Sequence, residues 1–204
     1  MNKIVKLLTT LAVGLALSAC ATTYLVSTWK SEKATTPLKK VLVIGISDNT
    51  ANRRLFEDIF VQQLEKVGVA ARASYLDLPD SKAISREVVE KLVKDSDFDS
   101  VLVTHYEGTN EEMVYRPATN YAYGYNDMGY WGYYRNVYST VYTPGYYVNY
   151  KYVYLQTNIY STKDGEVLWS ARSETTNPNN IARSFTELSE AIIKSLKSTN
   201  LISK

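Results

Sequence analysis

The sequence predicts an α/β (α+β) fold: a β-α-β-α-β unit, then a β-hairpin and a C-terminal helix, with the helices packed on a mixed sheet. Three observations lead there. Two uninterrupted apolar runs, Val41–Ile46 and Val101–Val103, have the composition of strands buried on both faces. Stretches with helical spacing of apolar residues separate them. A period-two stretch, Tyr152–Tyr160, leads into Asp164-Gly165, a strong hairpin turn signal.

In chain order, Thr22–Trp29 is β-prone and reads as an edge strand or as part of a tether. Lys30–Lys40 is polar, contains Pro37 and reads as a linker. After the strand Val41–Ile46, Ser47-Asp48-Asn49-Thr50 offers helix N-cap chemistry. A helix from Ala51 to Val67 follows, with Leu55, Phe56, Ile59, Phe60, Leu64 and Val67 as its stripe and Gly68 as its C-terminal cap. Val69–Tyr75 reads as a second strand. Ser85 caps a second helix, Ile84 staples onto Val89, and Val88, Val89, Leu92 and Val93 form its inner face. This order implies right-handed crossovers and parallel pairing in part of the sheet.

Tyr152–Tyr160 places Val153, Leu155, Thr157 and Ile159 on one face, and Tyr152, Tyr154, Gln156, Asn158 and Tyr160 on the other. The hairpin returns through Val167–Ala171. Together these predict a sheet with one covered side and one tyrosine-bearing side. Asn177-Pro178-Asn179-Asn180 breaks the chain and caps a last helix from about Ile181 to Leu196. Its stripe is Ile181, Phe185, Leu188, Ile192 and Leu196.

Between the two halves lies a segment of another kind. Fifteen of the eighteen tyrosines fall between Tyr115 and Tyr160. Arg116, Asp127, Arg135 and Lys151 are the only charged residues from Met113 to Tyr160. Tyrosine offers large contact area, few rotatable bonds and a polar tip, which suits a recognition surface. The insertion at about 113–150 is therefore expected to bind a partner through Tyr121, Tyr123, Tyr125, Tyr130, Trp131, Tyr133 and Tyr134. An alternative is a β-hairpin extension whose tyrosines decorate an exposed sheet face. A large exposed aromatic patch is costly without a partner, which favours recognition.

The N-terminus has the layout of a targeting signal. Lys3 and Lys6 precede an apolar run, Leu7–Leu17, that is too short to span a bilayer as a stable helix. It ends in Leu17-Ser18-Ala19-Cys20, around the only cysteine of the chain. This resembles the lipobox of bacterial lipoproteins, and the resemblance implies cleavage before Cys20 and lipidation of its thiol and amine. Each buried methylene contributes roughly 0.8 kcal/mol, so two or three acyl chains anchor stably where one does not. Ala21 after the cysteine implies forwarding to the outer membrane. The expected division is 1–19 signal peptide, 20–40 lipidated tether with an edge strand as an option, and 41–204 α/β domain with the insertion.

Without residues 1–19 the chain carries 21 basic and 21 acidic residues. Such a balance speaks against nucleic-acid binding, which needs a net basic face. A lone cysteine allows no internal disulfide.

The order of elements behind the lipobox resembles a group of Gram-negative envelope lipoproteins with a small α/β domain like the TolB amino-terminal region. The group includes the penicillin-binding-protein activator lipoproteins and, more distantly, the curli secretion lipoprotein. The nearest resemblance is to an uncharacterised lipoprotein family with a domain of unknown function. It is carried by Thr28-Trp29, the apolar strand Val41–Ile46, Arg53-Arg54, Asp164-Gly165 and Trp169. The resemblance implies fold and location, and brings no catalytic residues.

Catalytic constellations are missing from the pattern. Asp95, Asp97 and Asp99 have the spacing that opens a calcium loop, but Ser100 stands where that loop needs glycine and Tyr106 where it needs glutamate. His105 is the only histidine and has no serine elbow or further zinc ligands around it. Gly45-Ile-Ser-Asp48 sits where nucleotide folds hold phosphate, yet has one glycine and no Walker lysine, so capping by Ser47 or Asp48 explains it. Arg53 and Arg54 read as a solvated face, with an acidic partner as the alternative. The sequence thus points to a non-enzymatic, periplasm-facing lipoprotein of the outer membrane, with no cofactor or metal beyond the lipid on Cys20. It would bind or scaffold an envelope protein through the tyrosine segment. Glycan stacking and self-assembly into a homo-oligomer are the alternatives.

Overall fold

The computed structural model describes residues 22–78, 86–94, 96–117, 130–132 and 145–203. Its architecture is α+β, built on one mixed six-stranded sheet. The strands are β1 (Thr23–Lys30), β2 (Lys40–Ile46), β3 (Ala70–Ala73), β4 (Ser100–Arg116), β5 (Tyr146–Ser161) and β6 (Val167–Thr176). The helices are α1 (Thr50–Lys66), α2 (Arg86–Lys94) and α3 (Ile181–Ser198). Spatial order is β1-β6-β5-β4-β2-β3. β2 pairs in parallel with both β3 and β4, and every other pairing is antiparallel. The expected β-α-β-α-β unit is therefore β2-α1-β3-α2-β4, and the expected hairpin is β5-β6.

Alternation along the strands divides the core in two. On one face Val41, Val43, Leu102, Ile159, Trp169 and Ala171 pack against Phe56, Phe60 and Leu64 of α1 and Leu188, Ile192 and Leu196 of α3. On the other, a small cluster of Leu42, Ile44, Phe98 and Val101 meets Val89, Leu92 and Val93 of α2. No residue between Val103 and Leu155 belongs to either cluster or packs against one, among those described.

The helix ends follow their chemistry. Asn49, rather than Ser47 or Asp48, caps α1 by accepting from the Asn52 amide at 3.0 Å; the Ser47 hydroxyl instead accepts from the Asn49 amide at 3.2 Å. Gly68 ends α1 with φ +80°, a conformation that only glycine adopts freely. Asn180 caps α3 through the Arg183 amide at 3.0 Å. Gly165 takes φ +72° in the β5-β6 turn, and Asp164 Oδ1 accepts from the Glu166 amide. The expected cap Ser85 and staple Ile84 lie outside the described residues.

Several boundaries differ from expectation. Thr22–Trp29 takes the edge-strand alternative, as β1 at the sheet's edge. Residues 30–40, expected as a linker, are part of the packed domain, with Ala34 and Leu38 buried in the main cluster. The Leu38 amide donates to the Leu201 carbonyl at 2.9 Å, so the polar composition of 30–40 concealed two apolar anchors. The second strand is only Ala70–Ala73, because Ser74–Leu76 turns into a 3-10 helix. Ile181, expected in the buried stripe of α3, is 44% exposed because it opens the helix at the sheet's end.

Candidate functional site

Three features stand out, and two of them, an arm and a cleft, lie at one end of the sheet. β4 and β5 are far longer than their neighbours. β6 stops at Thr176, opposite Tyr152, and β2 stops opposite His105. Beyond that level Glu111–Arg116 pairs with Tyr146–Lys151 as a two-stranded arm with both edges open among the described residues. Such a ribbon is marginal alone and here continues a larger sheet. Its exposed residues include Met113, Tyr115, Tyr146 and Tyr147. Tyr115 and Tyr147, direct cross-strand partners, have ring centroids 5.0 Å apart. Tyr150 stacks with Tyr152 at 6.3 Å, and Arg116 Nη2 donates to the Tyr150 hydroxyl at 2.8 Å. A Cβ at Gly145 would overlap the Tyr115 hydroxyl, so this glycine lets the ring lie against the strand.

Of the residues expected to bind a partner, Tyr130 and Trp131 are described. They lie in one helical turn, 76% and 75% exposed, with rings 5.4 Å apart and edge-on. Tyr121, Tyr123, Tyr125, Tyr133, Tyr134 and the lipidation candidate Cys20 lie outside the described residues.

The expected tyrosine-bearing face of the sheet is present across β1, β6, β5 and β4. Gln156 Nε2 donates to Asn158 Oδ1 (3.1 Å) and Ser170 Oγ (2.8 Å), and Asn158 Nδ2 donates to the Tyr160 hydroxyl (3.1 Å). The Arg172 guanidinium lies 4.1 Å from the centre of the Tyr154 ring and donates to Glu107 at 2.6 Å. Glu174 raises the neighbouring phenols above their ordinary value. Its hydrogen bond with Tyr24, helped by burial, pushes that phenol up to about 12. A hydrogen bond to the same carboxylate raises Tyr154. Trp29, 54% exposed, pairs with Ser170 on this face, a position that β-propensity alone did not reveal.

The third feature is a cleft of about 660 Å³ between the end of β2, the adjoining Thr104–Tyr106 of β4, and the N-termini of α1 and α3. Phe56, Val153, Leu155 and Phe185 give it apolar walls, and Asn52 and Arg53 border it. Arg53 was expected on a solvated face, but it is fully buried. Its Nε donates to Glu57 Oε1 at 2.9 Å and its Nη2 to Ser74 Oγ at 2.9 Å. Glu57 further accepts from the amides of Gly45 (3.0 Å) and Tyr75 (2.8 Å) and from the Ser74 hydroxyl (2.8 Å). A buried charge needs this degree of satisfaction. The i,i+4 spacing of Arg53 and Glu57 was the available signal, overlooked because Arg54 beside it is exposed. This network also settles the Gly45–Asp48 turn: the Gly45 amide is spent on Glu57, and a Cβ there would press on Phe56 at 2.9 Å.

The other candidates have structural partners. Asp99 accepts from the amides of Lys39 (2.7 Å) and Lys40 (3.1 Å), Asp97 pairs with Lys40, and Asp95 is outside the described residues. Among the described residues no group of three or more His, Cys, Asp or Glu could hold a metal ion. His105 borders the cleft, and strand alternation sends its side chain to the face of Val101 and Val103. No described helix is long and apolar enough to cross a membrane.

The chain enters the domain at this same end. The Thr22 amide and hydroxyl donate to Glu187 Oε2 at 2.9 and 3.0 Å, and the Thr23 amide at 3.1 Å. Burial pushes the Glu187 carboxyl up, but Arg183 and Thr22 together hold it below the ordinary glutamate range.

No family model and no curated protein matches this chain. Solved structures with a similar course include the PelC dodecamer from Paraburkholderia phytofirmans, 12% identical, covering 81% of this chain and 94% of that one, with a TM-score of 0.44. Lipoprotein GNA1162 from Neisseria meningitidis is 13% identical over 78% of this chain and 99% of its own, at 0.39. A putative neuraminyllactose-binding hemagglutinin homolog from Helicobacter pylori is 10% identical over 85% and 94%, at 0.39. At such scores these similarities carry no functional inference.

Proposed function

We propose that the chain is a non-enzymatic envelope lipoprotein, anchored through Cys20 to the outer membrane and facing the periplasm, that works as a binding or scaffolding module through its aromatic arm. One observation carries this reading. Among the described residues the β4-β5 arm adds nothing to either core cluster, and it presents Met113, Tyr115, Tyr146 and Tyr147 to solvent. A segment that contributes nothing to the core and exposes this much aromatic surface has the character of an interaction element. An envelope protein is the partner class this reading favours. A second reading, glycan binding, draws on the open sheet face, where Trp29 adjoins the Gln156, Asn158 and Ser170 ladder.

The test is co-purification from the native envelope with the full-length chain and with a variant whose Met113–Asn149 segment is replaced by a short Gly/Ser turn. A protein recovered with the first and lost with the second supports the reading. Equal recovery with both removes the arm from consideration. Retention of both chains on purified sacculi moves the site to the sheet face and favours glycan.

A further inference from the structure

We infer that the arm lies in the headgroup interface of the bilayer that holds the acyl group on Cys20. The inference rests on the lipid-anchor part of the reading above and names what the arm meets first.

The geometry starts at Thr22. Its amide and hydroxyl are fixed to Glu187, and its carbonyl accepts from the Thr176 amide at 2.9 Å, so the domain begins there. Only Ala21 separates Thr22 from Cys20, two residue steps with a reach of about 7 Å when extended. Thr23 pairs with Thr175, and Thr176 with Tyr152, so the chain entry and the base of the arm share one end of the sheet. Tyr152 is two strands away from Thr23, about 10 Å to the side. From that level the six residue pairs of the arm continue for about 20 Å. The arm therefore reaches well past the furthest point to which Cys20 can extend. A membrane that takes up the acyl group meets the arm.

The chemistry of the arm fits that meeting. Its base carries Glu111 and Glu112. With Arg116 and Lys151 these make a balanced set, so the described arm carries no net charge that would oppose the headgroups. Its exposed large side chains are Met113, Tyr115, Tyr146 and Tyr147. Tyrosine and tryptophan are the residues enriched at the membrane–water boundary, where the ring is shielded and the polar tip stays wet. Both edges of the ribbon are open among the described residues, which bars it from the hydrocarbon, since unpaired backbone groups there cost several kcal/mol each. It lies along the interface and does not span.

The test uses the full lipidated chain, singly reconstituted in nanodiscs of phosphatidylethanolamine and phosphatidylglycerol. Lipidation occupies the only native thiol, so Tyr146→Cys, Met113→Cys and Lys163→Cys each give one site for a nitroxide. Lys163 lies in the β5-β6 turn, at the opposite end of the sheet. The expected result is loss of nickel-chelate accessibility with retained oxygen accessibility at 146 and 113, while 163 stays open to nickel. Nickel access at all three sites overturns the inference. Shielding of 146 and 113 from both reagents signals protein contact and overturns it equally. The intact mass of the mature wild-type chain separates the two layers: an unmodified Cys20 overturns anchor and arm together, whereas a lipidated chain with a wet arm overturns the arm alone.

Discussion

The body of the domain and its arm are built from the same two strands, yet they obey different rules. Up to Val103 both faces of β4 are covered by helices, and from Leu155 one face of β5 is, and apolar residues dominate the covered faces. Beyond those points the strands keep their register from Asn110–Tyr152 to Arg116–Tyr146 and lose their cover. The body spends its apolar side chains on a core, and the arm spends its aromatic ones on solvent. The difference separates stability from recognition. Changes in the body should cost folding, and changes in the arm should cost binding and little else.

The largest effect expected is at Arg53. Arg53→Met leaves Glu57 as an uncompensated buried charge and should destabilise the protein by about 3–5 kcal/mol in urea unfolding. A change within about ±0.5 kcal/mol, the usual range for a surface site, would mean that the guanidinium is solvated after all.

A smaller effect belongs to Glu187, at the entry of the chain. Its folded carboxyl is held below the ordinary glutamate range by Arg183 and Thr22, against the upward push of burial. The unfolded chain therefore takes up the proton first as acid is added. The stabilisation is complete above the ordinary glutamate range and is lost as pH falls through the depressed folded value. Glu187→Gln should flatten that part of the stability–pH curve and lower stability at neutral pH by about 1.5–3 kcal/mol, the size of a hydrogen bond to a charged group. An unchanged acid limb would locate the acid sensitivity elsewhere, Asp77 beside Arg72 being the next candidate.

The smallest effect is predicted on the arm. Tyr147→Ser removes an exposed ring and should alter stability by no more than about 0.5 kcal/mol. A loss of several kcal/mol would show that the arm is part of the folded core and would erase the distinction.

Much of the body was legible because its signals are local. Apolar runs, a period-two strand, Asp164-Gly165 and asparagine caps each act within a few residues. What escaped was set by distant partners. Arg53 is buried because Ser74 and the Gly45 and Tyr75 amides complete the shell of Glu57, and no window around Arg53 contains them. Residues 30–40 passed for a linker because Ala34 and Leu38 are isolated apolar residues whose cover comes largely from the far end of the chain, through Leu201 and Ile202. For the candidate site, composition located the aromatic segment but not its mounting. The pairing of Glu111–Arg116 with Tyr146–Lys151 and the pinning of Thr22 by Glu187 are properties of the sheet, and they give the arm its direction.

The most direct test closes the hairpin between Glu112 and Tyr150, which face each other across the ribbon. A short Gly/Ser turn in place of Met113–Asn149 gives a chain whose thermal unfolding and recovery of a co-purifying partner protein are measured side by side with the wild type. An unchanged melting temperature with the partner lost is the predicted result. A collapsed melting temperature, or a partner still recovered after the deletion, would contradict the division of labour between body and arm.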